Sequence, residues 1–310
     1  MSTNQFTIIV RMKYLFIAFL FVAVNGVAQG RLQKGEIIVD SLKRSFVVYI
    51  PAAGSTLQKL PVLISLHGRF GTGEQMLHFA DFRPIADKEK FIIVCPDGID
   101  KSWNAGLNTP ANRKGINDVK FIDHLITYIL DTYHGDARRV YVTGMSNGGF
   151  LASRLACELP DRIAAIAAVG ASMDKNMNYV PAKPVPVMYI QGTKDPLVPF
   201  DGVAKRNSAR RLIYSHDAIL KLWKDADACN EKPVITNLPD SAGDGTSVIK
   251  EEYSNSKTGI KVIGYTITNA GHTWPGGSQY LPKMMIGSVS HNMNACEVIW
   301  DFFKGYRLAE

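Results

Sequence analysis

The chain has 310 residues, 46% of them hydrophobic, and a formal charge of +7 from 35 basic and 28 acidic side chains. That is enough chain to bury a large core, and the basic residues are spread without a Lys/Arg-rich block, so a nucleic-acid partner is not indicated. Its four cysteines, Cys95, Cys157, Cys229 and Cys296, make no CxxC pair or Cys/His cluster of the kind that holds a metal.

Near the N-terminus, Arg11 and Lys13 precede an apolar run from Tyr14 to Val24 that ends in Asn25-Gly26-Val27-Ala28. This is the layout of a secretory signal peptide, with cleavage expected after Ala28. As a membrane anchor the run is too short to cross comfortably a hydrocarbon core about 30 Å thick. Met12 is an alternative start. Residues 29–310 then read as a single domain with a charge of about +5, because Arg11 and Lys13 leave with the signal peptide. An exported chain meets a compartment that permits disulfides. Cys95 and Cys157 fall in strand and helix patterns and read as buried thiols, which leaves Cys229 and Cys296 as the candidate bridge.

Strands are predicted at Glu36 to Asp40, Ser45 to Ile50, Pro61 to Leu66, Phe91 to Cys95, Val140 to Thr143, Ile163 to Val169, Val185 to Gln191 and Lys261 to Thr268. Apolar residues spaced by three and four predict helices at Asn117 to Tyr133, Gly148 to Glu158, Ala209 to Ala228 and Asn292 to Phe303. Two early strands followed by strand and helix alternation imply an α/β fold. Its sheet is expected to be mostly parallel, with helices on both faces and an antiparallel pair at its start. Pro233 to Gly259, rich in Ser, Asp, Gly and Asn, reads as a surface excursion with one strand at most. The loop from Pro96 to Gly115 follows a strand and so is placed to line a crevice at the carboxyl ends of the strands.

One strand, Arg139 to Thr143, runs directly into Gly144-Met145-Ser146-Asn147-Gly148-Gly149 and a helix. A serine on a strained strand-to-helix turn, with glycine two residues away on either side, is the context of a nucleophile elbow. A structural turn serine is the alternative. A serine hydroxyl needs a base, and the base needs a carboxylate, in the order Ser, Asp or Glu, His. Of the histidines after Ser146, His272 is favoured because it follows a strand end in a glycine-rich loop. His216 falls inside a helix pattern, and His291 precedes the last helix. Asp195, just past the strand Val185 to Gln191, is the expected carboxylate, with an Asx turn before Pro196 as its alternative reading. Asp174 and Asp201 are weaker choices. The expected oxyanion donors are the backbone N–H groups of Asn147 and of Arg69, in the turn after Leu66-His67-Gly68. The Gly68 to Gly73 spacing fails as a phosphate loop, since Glu74 and Gln75 stand where lysine and a hydroxyl are needed.

With these residues assembled, the chain resembles the secreted esterase family of polyhydroxybutyrate depolymerases, feruloyl esterases and acetylxylan esterases, over nearly all of residues 29–310. The resemblance rests on Leu66-His67-Gly68, Cys95-Pro96-Asp97-Gly98 with Trp103-Asn104, Asn117-Asp118-Val119, Arg138 to Gly149, Gly192-Thr193-Lys194-Asp195 and Gly271 to Gly277. It implies an α/β-hydrolase fold and Ser146, Asp195 and His272 as the triad. Family members often carry cysteine where this chain has Arg69, and tyrosine is common where it has Cys95. The expected activity is hydrolysis of a carboxylic ester, with no cofactor or metal, on a feruloyl, acetyl or polyhydroxybutyrate-type substrate. Trp103 and Trp274 are expected to rim the crevice and stack on an aromatic acyl group or a sugar ring, with core packing as the alternative. Rival readings are a peptidase of the same fold and a catalytically silent binding or envelope protein.

Overall fold

The computed structural model describes residues 30–52, 58–177, 179, 181–203 and 212–309; the expected signal peptide lies outside them. Among the described residues the strands are β1 (Arg31–Val39), β2 (Leu42–Ile50), β3 (Leu60–Leu66), β4 (Ile92–Pro96), β5 (Gly135–Met145), β6 (Ala165–Val169), β7 (Val187–Gly192), β8 (Val234–Asn237), β9 (Ser247–Ser254) and β10 (Lys261–Thr268). The helices are α1 (Gly73–Phe79), α2 (Arg83–Glu89), α3 (Pro110–Arg113), α4 (Asp118–Tyr133), α5 (Asn147–Glu158), α6 (His216–Ala226), α7 (Lys283–Ile286) and α8 (Ala295–Phe303).

All ten strands form one sheet in the order β1-β2-β4-β3-β5-β6-β7-β10-β9-β8. The run from β4 to β10 is parallel, while β1, β2, β9 and β8 flank it in antiparallel pairs. Successive side chains of a strand point to opposite faces, and both faces are covered. Val140 and Val142 of β5 pack with Phe121, Leu125, Leu151 and Trp223 of α4, α5 and α6. Tyr141, between them, packs with Met76, Ala86, Ile299 and Phe303 of α1, α2 and α8. This two-sided burial is why the central strands read as continuous apolar runs.

The structure corrects three expectations. The excursion from Pro233 to Gly259 contains two strands, β8 and β9, which extend the sheet beyond β10. Of the helix expected from Ala209, residues 209–211 lie outside the described residues, and the described part begins only at His216, where the Ser215 hydroxyl accepts the Ala218 N–H and caps it. The candidate bridge between Cys229 and Cys296 does not form: both thiols are free, and they pack on opposite faces of the sheet. Burial raises their pKa values to about 11 and about 12, which keeps them as unreactive thiols.

Candidate active site

The parallel strands deliver their carboxyl ends to one edge of the sheet, where the chemistry-bearing residues collect. At the end of β5, Ser146 adopts φ 54° and ψ −124°, and α5 begins at the next residue. A non-glycine residue in that conformation is strained. The turn is held by the Ser146 N–H donating to the Val169 carbonyl at 2.9 Å. Close packing explains the glycines around it. A Cβ on Gly148 would lie 2.3 Å from the Leu66 carbonyl oxygen, and one on Gly144 would lie 2.5 Å from the Gly148 carbonyl carbon.

His272 follows β10, and its backbone N–H donates to the Ile286 carbonyl at 2.6 Å. Its Nδ1 lies 2.7 Å from Oδ2 of Asp195, with both side chains almost wholly buried. Asp195 follows β7, and β7 pairs directly with β10, so sheet register brings the two residues together. The other carboxylate oxygen, Oδ1, accepts the N–H groups of Leu197 and Val198 at 2.8 Å each. The Asx-type turn and the histidine contact therefore coexist, one on each oxygen.

Ser146 and His272 line a cleft of about 670 Å³ together with Arg69, Asn147 and His67. Asn147 opens α5, where the first N–H groups of a helix lack intrahelical partners and carry its positive dipole end. His67 is neutral and fixed at both nitrogens: Nε2 accepts the Gly98 N–H at 2.9 Å, and Nδ1 lies 2.7 Å from the Gly68 carbonyl. Burial holds its pKa below the ordinary histidine value.

Other expected residues lie elsewhere. His216 is fully buried in α6 and stacked on Phe200, and desolvation lowers its pKa to about 4. His291 is exposed, with its N–H on Asp244. Asp174 accepts the Leu107 N–H, and Asp201 accepts the Val203 N–H.

Trp103 and Trp274 do not rim the cleft, which corrects their expected role as stacking platforms. Their exposures are 0% and 1%. Trp103 donates its indole N–H to the His67 carbonyl at 2.8 Å, and Trp274 packs edge-on against Phe79 and Phe82. The aromatic wall of the cleft is made instead by Phe70, Phe79 and Tyr280. Phe79 meets Tyr280 edge-to-face at 5.2 Å, with Trp274 behind it. Sequence reading missed these three, because Phe79 belongs to a helix of only seven residues, and Phe70 and Tyr280 stand in loops without a motif.

The family described as esterase PHB depolymerase matches residues 44–206, just over half of the chain. The chain belongs to that family. Across a longer span this family member is 27% identical over 290 residues to a Nocardia uniformis subsp. tsuyamanensis protein named "Putative esterase NocK", covering 90% of this chain and 84% of that one. It is also 27% identical over 235 residues to feruloyl esterase B of Piromyces equi, covering 74% of this chain and 42% of that protein. Among solved structures, the acetyl xylan esterase from Aspergillus awamori shares the fold with a TM-score of 0.59 and 16% identity, over 79% of this chain and 94% of that one. The family member is a carboxylic ester hydrolase of the α/β-hydrolase fold. Among its described residues no helix is long and apolar enough to cross a membrane.

Proposed function

We propose that Ser146, His272 and Asp195 are the nucleophile, base and orienting acid of a two-step ester hydrolysis. The observation that carries this reading is the buried 2.7 Å contact of His272 with Asp195, in the cleft that Ser146 enters from a strained elbow. Oγ of Ser146 bonds the ester carbonyl carbon while His272 takes its proton. The Asn147 and Arg69 N–H groups receive the negative charge that develops on the carbonyl oxygen. Collapse of this intermediate breaks the bond to the alcohol, which leaves with the proton from His272. Water then adds to the acyl carbon and gives a proton to His272. The second collapse frees the carboxylic acid and returns that proton to Ser146. Throughout, Asp195 holds Nδ1–H of His272 and stabilises its cationic form. The scheme uses no cofactor.

The substrate is assigned to feruloyl or acetyl esters of polysaccharide, or to a polyhydroxybutyrate-type polyester, reached by a single domain of residues 29–310 that is secreted or periplasmic after removal of residues 1–28. The aromatic wall of Phe70, Phe79 and Tyr280 favours an aryl or short acyl group over a charged one. Ser146→Ala is expected to abolish p-nitrophenol release from short acyl esters while circular dichroism stays unchanged; undiminished turnover rejects the assignment. Parallel assays on methyl ferulate, acetylated xylan and polyhydroxybutyrate separate the candidate substrates.

A further inference from the structure

We infer that Trp103 is a positioning residue that sets the spacing of the two oxyanion donors. This rests on the assignment of those donors to Arg69 and Asn147. The donors belong to segments distant in sequence: one in the loop after β3, the other at the start of α5. Trp103 is hydrogen-bonded to both. Its indole N–H donates to the His67 carbonyl at 2.8 Å, at the root of the Arg69 loop. Its backbone N–H donates to Oδ1 of Asn147 at 2.7 Å, and Nδ2 of Asn147 donates back to the Trp103 carbonyl at 3.2 Å. One residue thus spans the gap between the two segments, and the amide of Asn147 is held at both ends.

The strut is itself anchored. The Asn104 N–H donates to Oδ2 of Asp118 at 2.7 Å, and Oδ1 of Asp118 takes Arg44 of β2 at 2.6 Å, both side chains being buried. The Thr109 hydroxyl donates to the Trp103 carbonyl at 2.7 Å. The His67 ring lies against the indole, with centroids 4.8 Å apart. A residue that only filled the core would not need hydrogen bonds to both segments. A strut fixing donors before the reaction lowers the cost of stabilising charge in the transition state, and it does little for the ground state.

The test replaces the indole N–H while keeping the ring: Trp103→Phe and, as the near-isostere that preserves packing, Trp103→β-(3-benzothienyl)alanine. Each is assayed with p-nitrophenyl acetate and with phenylboronic acid, whose tetrahedral serine adduct occupies the oxyanion site. The expected result for the isostere is a fall in kcat of about ten- to a hundredfold, weaker phenylboronic acid inhibition by a similar factor, and KM within about twofold. Combining it with Asn147→Ala should cost much less than the product of the two single losses, because either change cuts the same strut. If kcat and inhibition in the isostere stay within about twofold of the parent, or if the two losses multiply, the inference is overturned. If Trp103→Phe fails to fold, the isostere alone decides. Ser146→Ala, assayed alongside, separates the two readings: an inactive Ser146→Ala with a fully active isostere overturns the strut alone, and an active Ser146→Ala overturns the triad.

Discussion

The two oxygens of the Asp195 carboxylate act separately, with Oδ1 taking the N–H groups of Leu197 and Val198 and Oδ2 taking His272. The turn thereby fixes the plane of the carboxylate, so the histidine meets an acceptor already in place. Asp227 shows the cost of a carboxylate without such partners. It is buried, its Oδ1 accepts the Val185 N–H, and its Oδ2 has no partner among the described residues. Desolvation raises its pKa to about 7. An unfolded aspartate titrates near 3.9, so between about pH 4 and pH 7 the folded state binds the extra proton, and stability falls as pH rises through that window. Asp227→Asn keeps the acceptor for Val185 and removes the charge. It should raise the urea midpoint at pH 8 relative to the parent and leave it nearly unchanged at pH 4. Equal shifts at both pH values would show that Asp227 ionisation does not contribute.

The elbow joining β5 to α5 is the element on which the site depends. Its glycines were legible in the sequence, and the contacts of their missing Cβ atoms give the reason: α5 starts so close to the end of β3 that a Cβ on Gly148 would meet Leu66 and His67 carbonyl oxygens at 2.3 and 2.7 Å. Gly148→Ala should therefore push the helix start away from the loop that carries Arg69. Overpacking of this kind costs about 1–3 kcal/mol, a melting temperature lower by several degrees in a domain of this size, and kcat should fall with it. A melting curve and kcat both equal to the parent's would place the close approach elsewhere. Other elements were less legible for physical reasons. α1 and α2 have seven residues each and lie among glycine, proline and charged residues, too short for a helical period to register. β8 is an edge strand exposed at every residue, so it carries no buried alternation to read.

At the scale of the molecule, the two antiparallel flanks leave a parallel centre whose carboxyl ends share one edge, and the cleft forms there. The long apolar strands, the main helices and the placement of Ser146, Asp195 and His272 just past β5, β7 and β10 were open to sequence reading, because strand ends constrain them locally. The aromatic wall of the cleft was not, since it depends on which loop side chains turn toward it. Trp103 and Trp274 look like stacking platforms in a loop sequence, yet they face inward, and Phe70, Phe79 and Tyr280 line the cleft in their place. The proposed role of Ser146 as the activated nucleophile is tested most directly by reaction of the intact protein with a fluorophosphonate, which phosphonylates such a serine, followed by peptide mass spectrometry. The triad assignment predicts one adduct, on the peptide containing Ser146, with loss of esterase activity in step with labelling; an adduct on another residue, or full activity in the labelled protein, would contradict it.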